Sequence, residues 1–238
     1  MGRYQAIVIT PVKNSLANTM ATIKAIKKSL GSFLYLVYDD FSDEYVSEAL
    51  KNNADKLDYN YIHLSKLTDT PSPNYITVLL DAQQKAVENR LPLIIVESDI
   101  EVEYDTFQRL LSFCEHNTAV GMVGAITVDY KKEINFPYLK FKDKKKEPIM
   151  TDRSLSFCCT LLTKEFLEKF NFKNLQKGKD WYDTSISYAS LEHGFKNYVL
   201  LDTPVLHKPH GSRPWKQLKY TNPIKYYWLK FIKGRDKI

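Results

Sequence analysis

The chain places carboxylates where apolar runs end. "LIIVESDIEVEYD" leaves an apolar run at Val96 and then carries five acids in nine positions, Glu97, Asp99, Glu101, Glu103 and Asp105. "FLYLVY" runs directly into Asp39 and Asp40, and a third acid, Asp183, stands in "WYDTSISYASLEHGF". Acids gathered at one edge repel each other unless something positive lies between them, and hard oxygen ligands suit Mg²⁺ or Mn²⁺. Such an ion usually completes its shell with substrate phosphates, so this pattern points to a metal-bound diphosphate. A second reading stands beside it: Asp and Glu also end strands and open helices, and "DDFSDE" taken alone fits that equally well. That reading has to be invoked separately at each strand end.

These acids need a scaffold that brings strand ends together. Short apolar runs alternate with helical patterns, the signature of βα units and a mostly parallel central sheet flanked by helices. "YQAIVIT" (4–10), "FLYLVY" (33–38), "YNYIHL" (59–64), "LPLIIVE" (91–97) and "AVGMVGAIT" (119–127) read as strands. Leu16, Met20, Ile23 and Ile26 recur at helical spacing up to Gly31, Ser42 is placed to cap a helix through Leu50, residues 75–89 read as a helix, and Phe107, Leu110, Leu111 and Cys114 mark one face of another. Open α/β sheets bind ligands outside the carboxyl ends of their strands, where "TPVKN", "DDFSDE" and "ESDIE" all fall. The pattern breaks most clearly in the lysine-rich stretch from about 129 to 153.

Composition narrows the class. At 238 residues, with 44% apolar and 13% aromatic content, the chain suits one sizeable core with at most a small appendage. No stretch approaches the roughly 20 apolar residues of a membrane span, and Met1 leads into the first strand without the pattern of a signal peptide, so the expectation is a cytoplasmic protein. Cys114, Cys158 and Cys159 read as reduced packing thiols. The net charge of +6 is concentrated at the end: residues 205–238 hold nine Lys or Arg against one acid, Asp236. Within that tail Ile224, Tyr227, Trp228, Phe231 and Ile232 share one helical face, with Lys225, Lys230 and Lys233 off it. Two readings stay open, a helix lying on an anionic membrane and a helix packed on the body of the protein. No G-x-G-x-x-G follows the first strand and no G-x-x-x-x-G-K-[ST] occurs, which argues against the dinucleotide fold and the P-loop. No RNA-binding signature accompanies the basic tail, so no nucleic-acid partner is expected. "TPVKNS" also lacks the Gly-rich, Arg-containing loop of a sugar nucleotidyltransferase.

Taken in order, these segments resemble the family 2 type of GT-A glycosyltransferases. Pro11 to Asn14 match the family's P-x-x-N turn, and Asp39 and Asp40 its paired aspartates. Glu97, Ser98 and Asp99 match its D-x-D element, with Glu where Asp is usual. Asp183 matches the second acid of its "ED" pair, with Tyr182 in place of the first, and Gly194 and Phe195 match the close of that helix. His207, in "LHKPHGS", matches the histidine beyond the next strand. The resemblance runs over about residues 4 to 212.

It implies a GT-A fold, with a nucleotide-binding half at about 1–128, an acceptor-side half at about 129–212 and a basic aromatic tail at 213–238. The implied activity is transfer of a sugar from a UDP- or GDP-linked donor to a hydroxyl on a glycan or lipid-linked acceptor, with inversion, in surface glycan assembly. A catalytically silent sugar-nucleotide binder is the alternative. By the same resemblance, Asp99, Glu97 and His207 would hold Mn²⁺ or Mg²⁺, with His210 as an alternative ligand and an ordinary partly buried histidine as the plainer reading of His207. Asp183 would be the base, with Glu97 or Asp180 next in line. Pro11, Val12, Asn14, Asp39, Asp40 and Ser98 would hold the donor. Trp181 and Tyr182 would wall the acceptor site or simply pack in the core, and "DRSLS" (152–156) is a further candidate for acceptor contact.

Overall fold

The computed structural model describes residues 4–175, 181–208 and 222–232, with the side chains of 229–232 left aside. The chain divides into two units, Met1–Lys208 and Pro209–Ile238.

The first unit is a nine-stranded sheet between two layers of helices. Its elements are β1 (Ala6–Val12), α1 (Leu16–Lys28), β2 (Phe33–Asp39), α2 (Glu44–Leu57), β3 (Asn60–His63), α3 (Tyr75–Asn89), β4 (Leu93–Val96), β5 (Ile100–Glu101) and α4 (Thr106–His116). They continue with β6 (Val120–Val128), β7 (Pro148–Thr151), β8 (Cys159–Leu162), α5 (Lys164–Lys169), α6 (Tyr182–Glu192) and β9 (Lys196–His207). The strand order is β3-β2-β1-β4-β8-β6-β9-β5, with β7 pairing on β9. The β3-β2-β1-β4 half is parallel throughout. Its strands are apolar along most of their length because both faces are covered by helices, as parallel sheets require. Ile23, Ile26, Val46, Leu50, Phe107 and Leu110 cover one face. Val78, Leu79, Ala82, Phe166, Leu167 and Ile186 cover the other.

Beyond β4 the sheet becomes mixed: β8 runs antiparallel to both β4 and β6, and β9 returns parallel to β6. Two features of β9 matter for the site. Its first half pairs with β7 and its last two residues with β5. Between them the register to β6 slips, Ala125 facing Leu200 and Ile126 facing Pro204, so three extra residues of β9 are accommodated at Leu201–Thr203. Bulges of this kind bend a strand and re-aim its end. The bend sets His207 opposite Ile100, one residue beyond Asp99.

Two local expectations are corrected. Ser42 does not cap α2, which starts after Asp43 and continues past Leu50 to Leu57; its hydroxyl instead accepts a hydrogen bond from the Asn14 amide at 2.8 Å. The lysine-rich break contains β7, a short strand whose exposed Pro148 and Met150 and lysine-rich approach mask its pairing from the sequence.

In the second unit α7 (Pro223–Ile232) is a helix on which Ile224, Tyr227 and Trp228 are exposed, while Tyr226, edge-on to Tyr227 at 5.2 Å, is buried. Among the described residues no helix is long and apolar enough to cross a membrane. His210, Asp180 and the tail's basic residues other than Lys208 and Lys225 fall outside the residues whose side chains are described.

Candidate active site

The loops after β1 and β2 are laced together. Asp40 N–H donates to the Val12 carbonyl at 2.9 Å, Asp43 N–H donates to Asn14 Oδ1 at 2.8 Å, and the Lys13 ammonium meets the Phe41 carbonyl. Asn14 and Ser15 both take left-handed backbone conformations at φ 58° and 57°, which turns the chain tightly out of β1. Pro11 is half-buried at this edge and Val12 is buried.

The two neighbouring aspartates have different surroundings. Asp39 is buried and accepts from Ser42 N–H (2.9 Å), Ser47 Oγ (2.5 Å) and Tyr61 Oη (2.7 Å). Burial alone would raise its pKa, but these hydrogen bonds outweigh it and hold the carboxyl below its ordinary value. Asp39 is thereby a knot joining β2, α2 and β3. Asp40 turns to the start of α3, accepting from Ser72 Oγ and Asn74 N–H at 2.8 Å and from Asn74 Nδ2 at 2.9 Å. Ser47, Tyr61, Ser72 and Asn74 carried no local sequence signal, since they lie between 8 and 34 residues from the aspartates they hold.

At the end of β4 the chain turns through Glu97, Ser98 and Asp99, closed by Ile100 N–H on the Glu97 carbonyl at 3.1 Å. Ser98 is half-buried in that turn, and Asp99 is completely buried. Its Oδ2 lies 3.2 Å from His207 Nε2. The other ring nitrogen, Nδ1, lies 2.7 Å from the Phe136 carbonyl, which can only accept, so Nδ1 carries a proton. Nε2 of the neutral ring therefore points a lone pair at a carboxylate. Only a proton or a metal cation can sit favourably between them. Burial pulls the imidazole pKa down, but the Asp99 hydrogen bond and charge, the Phe136 carbonyl and the Glu97 charge together raise it above its usual value. Lys208 extends the pairing, its amide donating to the Asp99 carbonyl at 3.0 Å and its ammonium meeting Glu101.

Asp183 is in the first turn of α6, where its Oδ1 accepts from the Thr184 amide at 2.8 Å and where the helix dipole favours a negative charge. Two separate segments, the turn after β4 and the start of α6, converge on Cys158, the residue just before β8. Its thiol lies 3.8 Å from Glu97 Oε2, and burial, followed by the charges of Glu97, Asp99 and Asp183, pushes its pKa well above that of a free thiol despite the Ser156 hydroxyl. The sulfur is therefore a neutral spacer among three carboxylates. Sequence reading took it only as packing. Cys114 and Cys159 are pushed up to about 12, led by burial, and no disulfide forms among the described residues.

Trp181 and Tyr182, both half-buried, stand at the N-terminus of α6. The Tyr182 ring lies parallel to that of Tyr75 at 6.3 Å, and Tyr75 lies parallel to Phe157 at 6.3 Å. Burial, then the Glu97 and Asp183 charges, raise the Tyr75 phenol pKa, so it stays neutral. An aromatic row thus runs along the same acids.

The structure therefore brings Glu97, Asp99, His207 and Asp183 to one edge, with Tyr182 beside them. It sets Pro11, Val12, Asn14 and Asp40 at the neighbouring strand ends and places Asp39 beneath them. Among the described residues no group of three His, Cys, Asp or Glu has the spacing of a complete metal site. The Asp99–His207 pair supplies two donors, and Glu97 is engaged with Cys158. An oxygen and an imidazole nitrogen suit a divalent ion that takes its remaining ligands from phosphate and water.

The sequence matches no protein-family model and no curated protein. Comparison with solved structures is decisive for the fold. The chain superposes on S. aureus TarS 1-349 with a TM-score of 0.66 at 17% identity, over 94% of this chain and 65% of that one. It superposes on the mannosyltransferase PcManGT from Pyrobaculum calidifontis, solved with GDP-Man and Mn²⁺, with a TM-score of 0.62 at 13% identity, over 98% of this chain and 65% of that one. It superposes on GalNAc-T7, solved with UDP, GalNAc and Mn²⁺, with a TM-score of 0.59 at 12% identity, over 87% of this chain and 44% of that one. The chain thus spans less than two thirds of the length of each. The architecture is the GT-A glycosyltransferase fold.

Proposed function

We propose that this chain is a metal-assisted glycosyltransferase that moves a sugar from a UDP- or GDP-linked donor to a hydroxyl of a glycan or lipid-linked acceptor, with inversion, in the assembly of a surface glycan. The observation that carries the reading is the convergence of Glu97 and Asp99, from the turn after β4, and Asp183, from the start of α6, on the Cys158 thiol. A fold alone does not establish an activity, and this cluster is what ties the fold to a reaction.

Transfer requires a bond from the acceptor oxygen to the anomeric carbon to form as the bond from that carbon to the diphosphate breaks. In one displacement the configuration at that carbon inverts. Asp183 accepts the acceptor hydroxyl's proton, a role that contributes roughly 10²- to 10⁴-fold. Pro11, Val12, Asn14, Asp40 and Ser98 hold the donor in line, which removes orientational entropy before reaction. Asp39 fixes the loops that do so. Trp181 and Tyr182 offer apolar faces to the acceptor sugar. Asp99 and His207, with Glu97 beside them, would hold Mn²⁺ or Mg²⁺, and when bound this ion would offset the charge growing on the diphosphate. Mn²⁺ accompanies the nucleotide in two of the structural neighbours.

The exposed Ile224, Tyr227 and Trp228, with Lys225 on the same helix, support peripheral contact of α7 with an anionic membrane. A lipid-linked acceptor would be met on that surface.

The test is release of UDP or GDP from a panel of their sugar conjugates in the presence of Mn²⁺. Slow release that rises on addition of an acceptor glycan is the expected result for the wild type, with Asp183→Asn reduced at least about 100-fold. Tight donor binding with no turnover in either protein would support the silent sugar-nucleotide binder instead.

A further inference from the structure

The segment that follows β6 supplies none of the reacting groups, yet it touches His207 twice. Val128 and Leu206 are the last residues that pair β6 with β9, so His207 lies one residue beyond that ladder. Past Val128 the chain doubles back within the lysine-rich stretch. Asp129 Oδ1 accepts from Lys131 N–H at 2.8 Å and from Glu133 N–H at 3.0 Å, and Ile134 bridges antiparallel to Val128. The returning arm is pinned on buried Thr127, whose carbonyl accepts from Asn135 N–H at 3.1 Å and whose hydroxyl donates to the Phe136 carbonyl at 3.2 Å. From there Asn135 Nδ2 donates to the His207 carbonyl at 3.1 Å, and the Phe136 carbonyl accepts from His207 Nδ1–H at 2.7 Å. One contact fixes the histidine's backbone and the other its ring.

Asn135 holds its place at a cost. Its Oδ1 is buried and has no hydrogen-bond partner among the described residues, a penalty that an apolar side chain would avoid. The amide cannot turn round to relieve it, because the His207 carbonyl only accepts and must face the nitrogen. Stability alone therefore argues against asparagine here, and the donor aimed at His207 argues for it. The same arm also braces the other side of the acids. Tyr138 N–H donates to the Asn135 carbonyl at 2.9 Å, and Tyr138 Oη accepts from Ser156 N–H at 3.1 Å. The Ser156 hydroxyl lies 3.2 Å from the Cys158 thiol, which faces Glu97.

We propose that Asn135 is a positioning residue for His207: it locks the end of β9 where the ladder to β6 has stopped, so that the ring, held at Nδ1 by Phe136, presents Nε2 to a divalent ion beside Asp99. This rests on the metal-assisted reading and extends it to a loop outside the site. Contacts behind a metal-bound histidine typically govern metal affinity about 10- to 100-fold.

The test is electron paramagnetic resonance of Mn²⁺ on the full chain with saturating UDP or GDP, titrating affinity from the free-ion signal and reading nitrogen hyperfine coupling from a bound imidazole. The wild type should show that coupling, and His207→Ala should lack it. Asn135→Leu and Asn135→Ala both remove the donor but differ in volume, and thermal unfolding identifies the temperature at which each is folded. Both should weaken Mn²⁺ about 10- to 100-fold and diminish the coupling, agreement between them assigning the loss to the hydrogen bond rather than to packing. In the His207→Ala background, Asn135→Leu should change Mn²⁺ affinity by less than about twofold, since the residue acts through the histidine. Wild-type affinity and coupling in both Asn135 variants overturn the proposal. So does an equal loss of affinity with and without His207, which marks a purely structural role. A wild type without nitrogen coupling, or with coupling that survives in His207→Ala, instead removes His207 from the metal and overturns the reading on which the proposal rests.

Discussion

Neighbouring acids in one short motif can do different work, and Asp39 and Asp40 show it. Asp39 spends its lone pairs on Ser42, Ser47 and Tyr61. Asp39→Asn should therefore cost stability, about 1–3 kcal/mol at pH 7 for a broken buried network. Because the folded pKa is depressed, the stability Asp39 contributes is fully present above its unfolded value of about 3.9 and is lost as pH falls through the lower folded value. Urea unfolding of both proteins from pH 7 to pH 2 should show the deficit of Asp39→Asn shrinking in that acid window. A constant deficit across the series would mean that the carboxylate charge is not what the network holds. The sequence showed two equivalent aspartates; the distinction lies in partners as far as 22 and 34 residues away, which no local pattern encodes. That Asp183 opens a helix was legible from the pattern of that segment. Asp183→Asn should keep the Thr184 N–H contact and the donor affinity while lowering turnover at least about 100-fold. Wild-type turnover in that variant would move the base to Glu97 or Asp180.

At the scale of elements, the parallel half was readable because β1, β2 and β4 are covered on both faces and so are nearly continuous apolar runs. β7 was not, since its exposed Pro148 and Met150 and its lysine-rich approach look like loop. Nor was the slip in β9: it depends on the register of two strands about 75 residues apart, yet it is what delivers His207 to Asp99. β6 shows how closely these elements fit. A Cβ on Gly121 would lie 2.1 Å from Ser190 Oγ and 2.7 Å from Phe195 Cβ, and Ser190 in turn is bonded to Asn197 Oδ1 at 2.7 Å. Gly121→Ala should push α6 and the start of β9 away from β6 and cost about 1–3 kcal/mol, the usual range for overpacking. The check is a lowered thermal midpoint with nucleotide affinity retained under conditions where the protein is folded. An unchanged midpoint would show that the contact relaxes freely.

For the whole molecule, the charge asymmetry and the apolar face on α7 were visible in the sequence, and Ile224, Tyr227 and Trp228 are indeed exposed. If this face meets a membrane, the protein should co-sediment with anionic vesicles at low salt and be released at high salt, with each basic residue near the surface worth about 1 kcal/mol. Replacing Ile224, Tyr227 and Trp228 together by serine should abolish co-sedimentation and leave nucleotide binding intact; retained co-sedimentation would assign the effect to charge elsewhere. The larger claim is that one edge of a GT-A sheet is built to hold a metal-bound nucleoside diphosphate. Calorimetry of UDP and GDP with Mn²⁺ and with excess chelator, on the wild type and on Asp99→Asn, tests it most directly. Tight binding of at least one nucleotide that needs Mn²⁺ in the wild type, and a lost Mn²⁺ dependence in Asp99→Asn, is the expected result. Equal affinity with and without the ion in the wild type, or no binding of either nucleotide, would contradict the account.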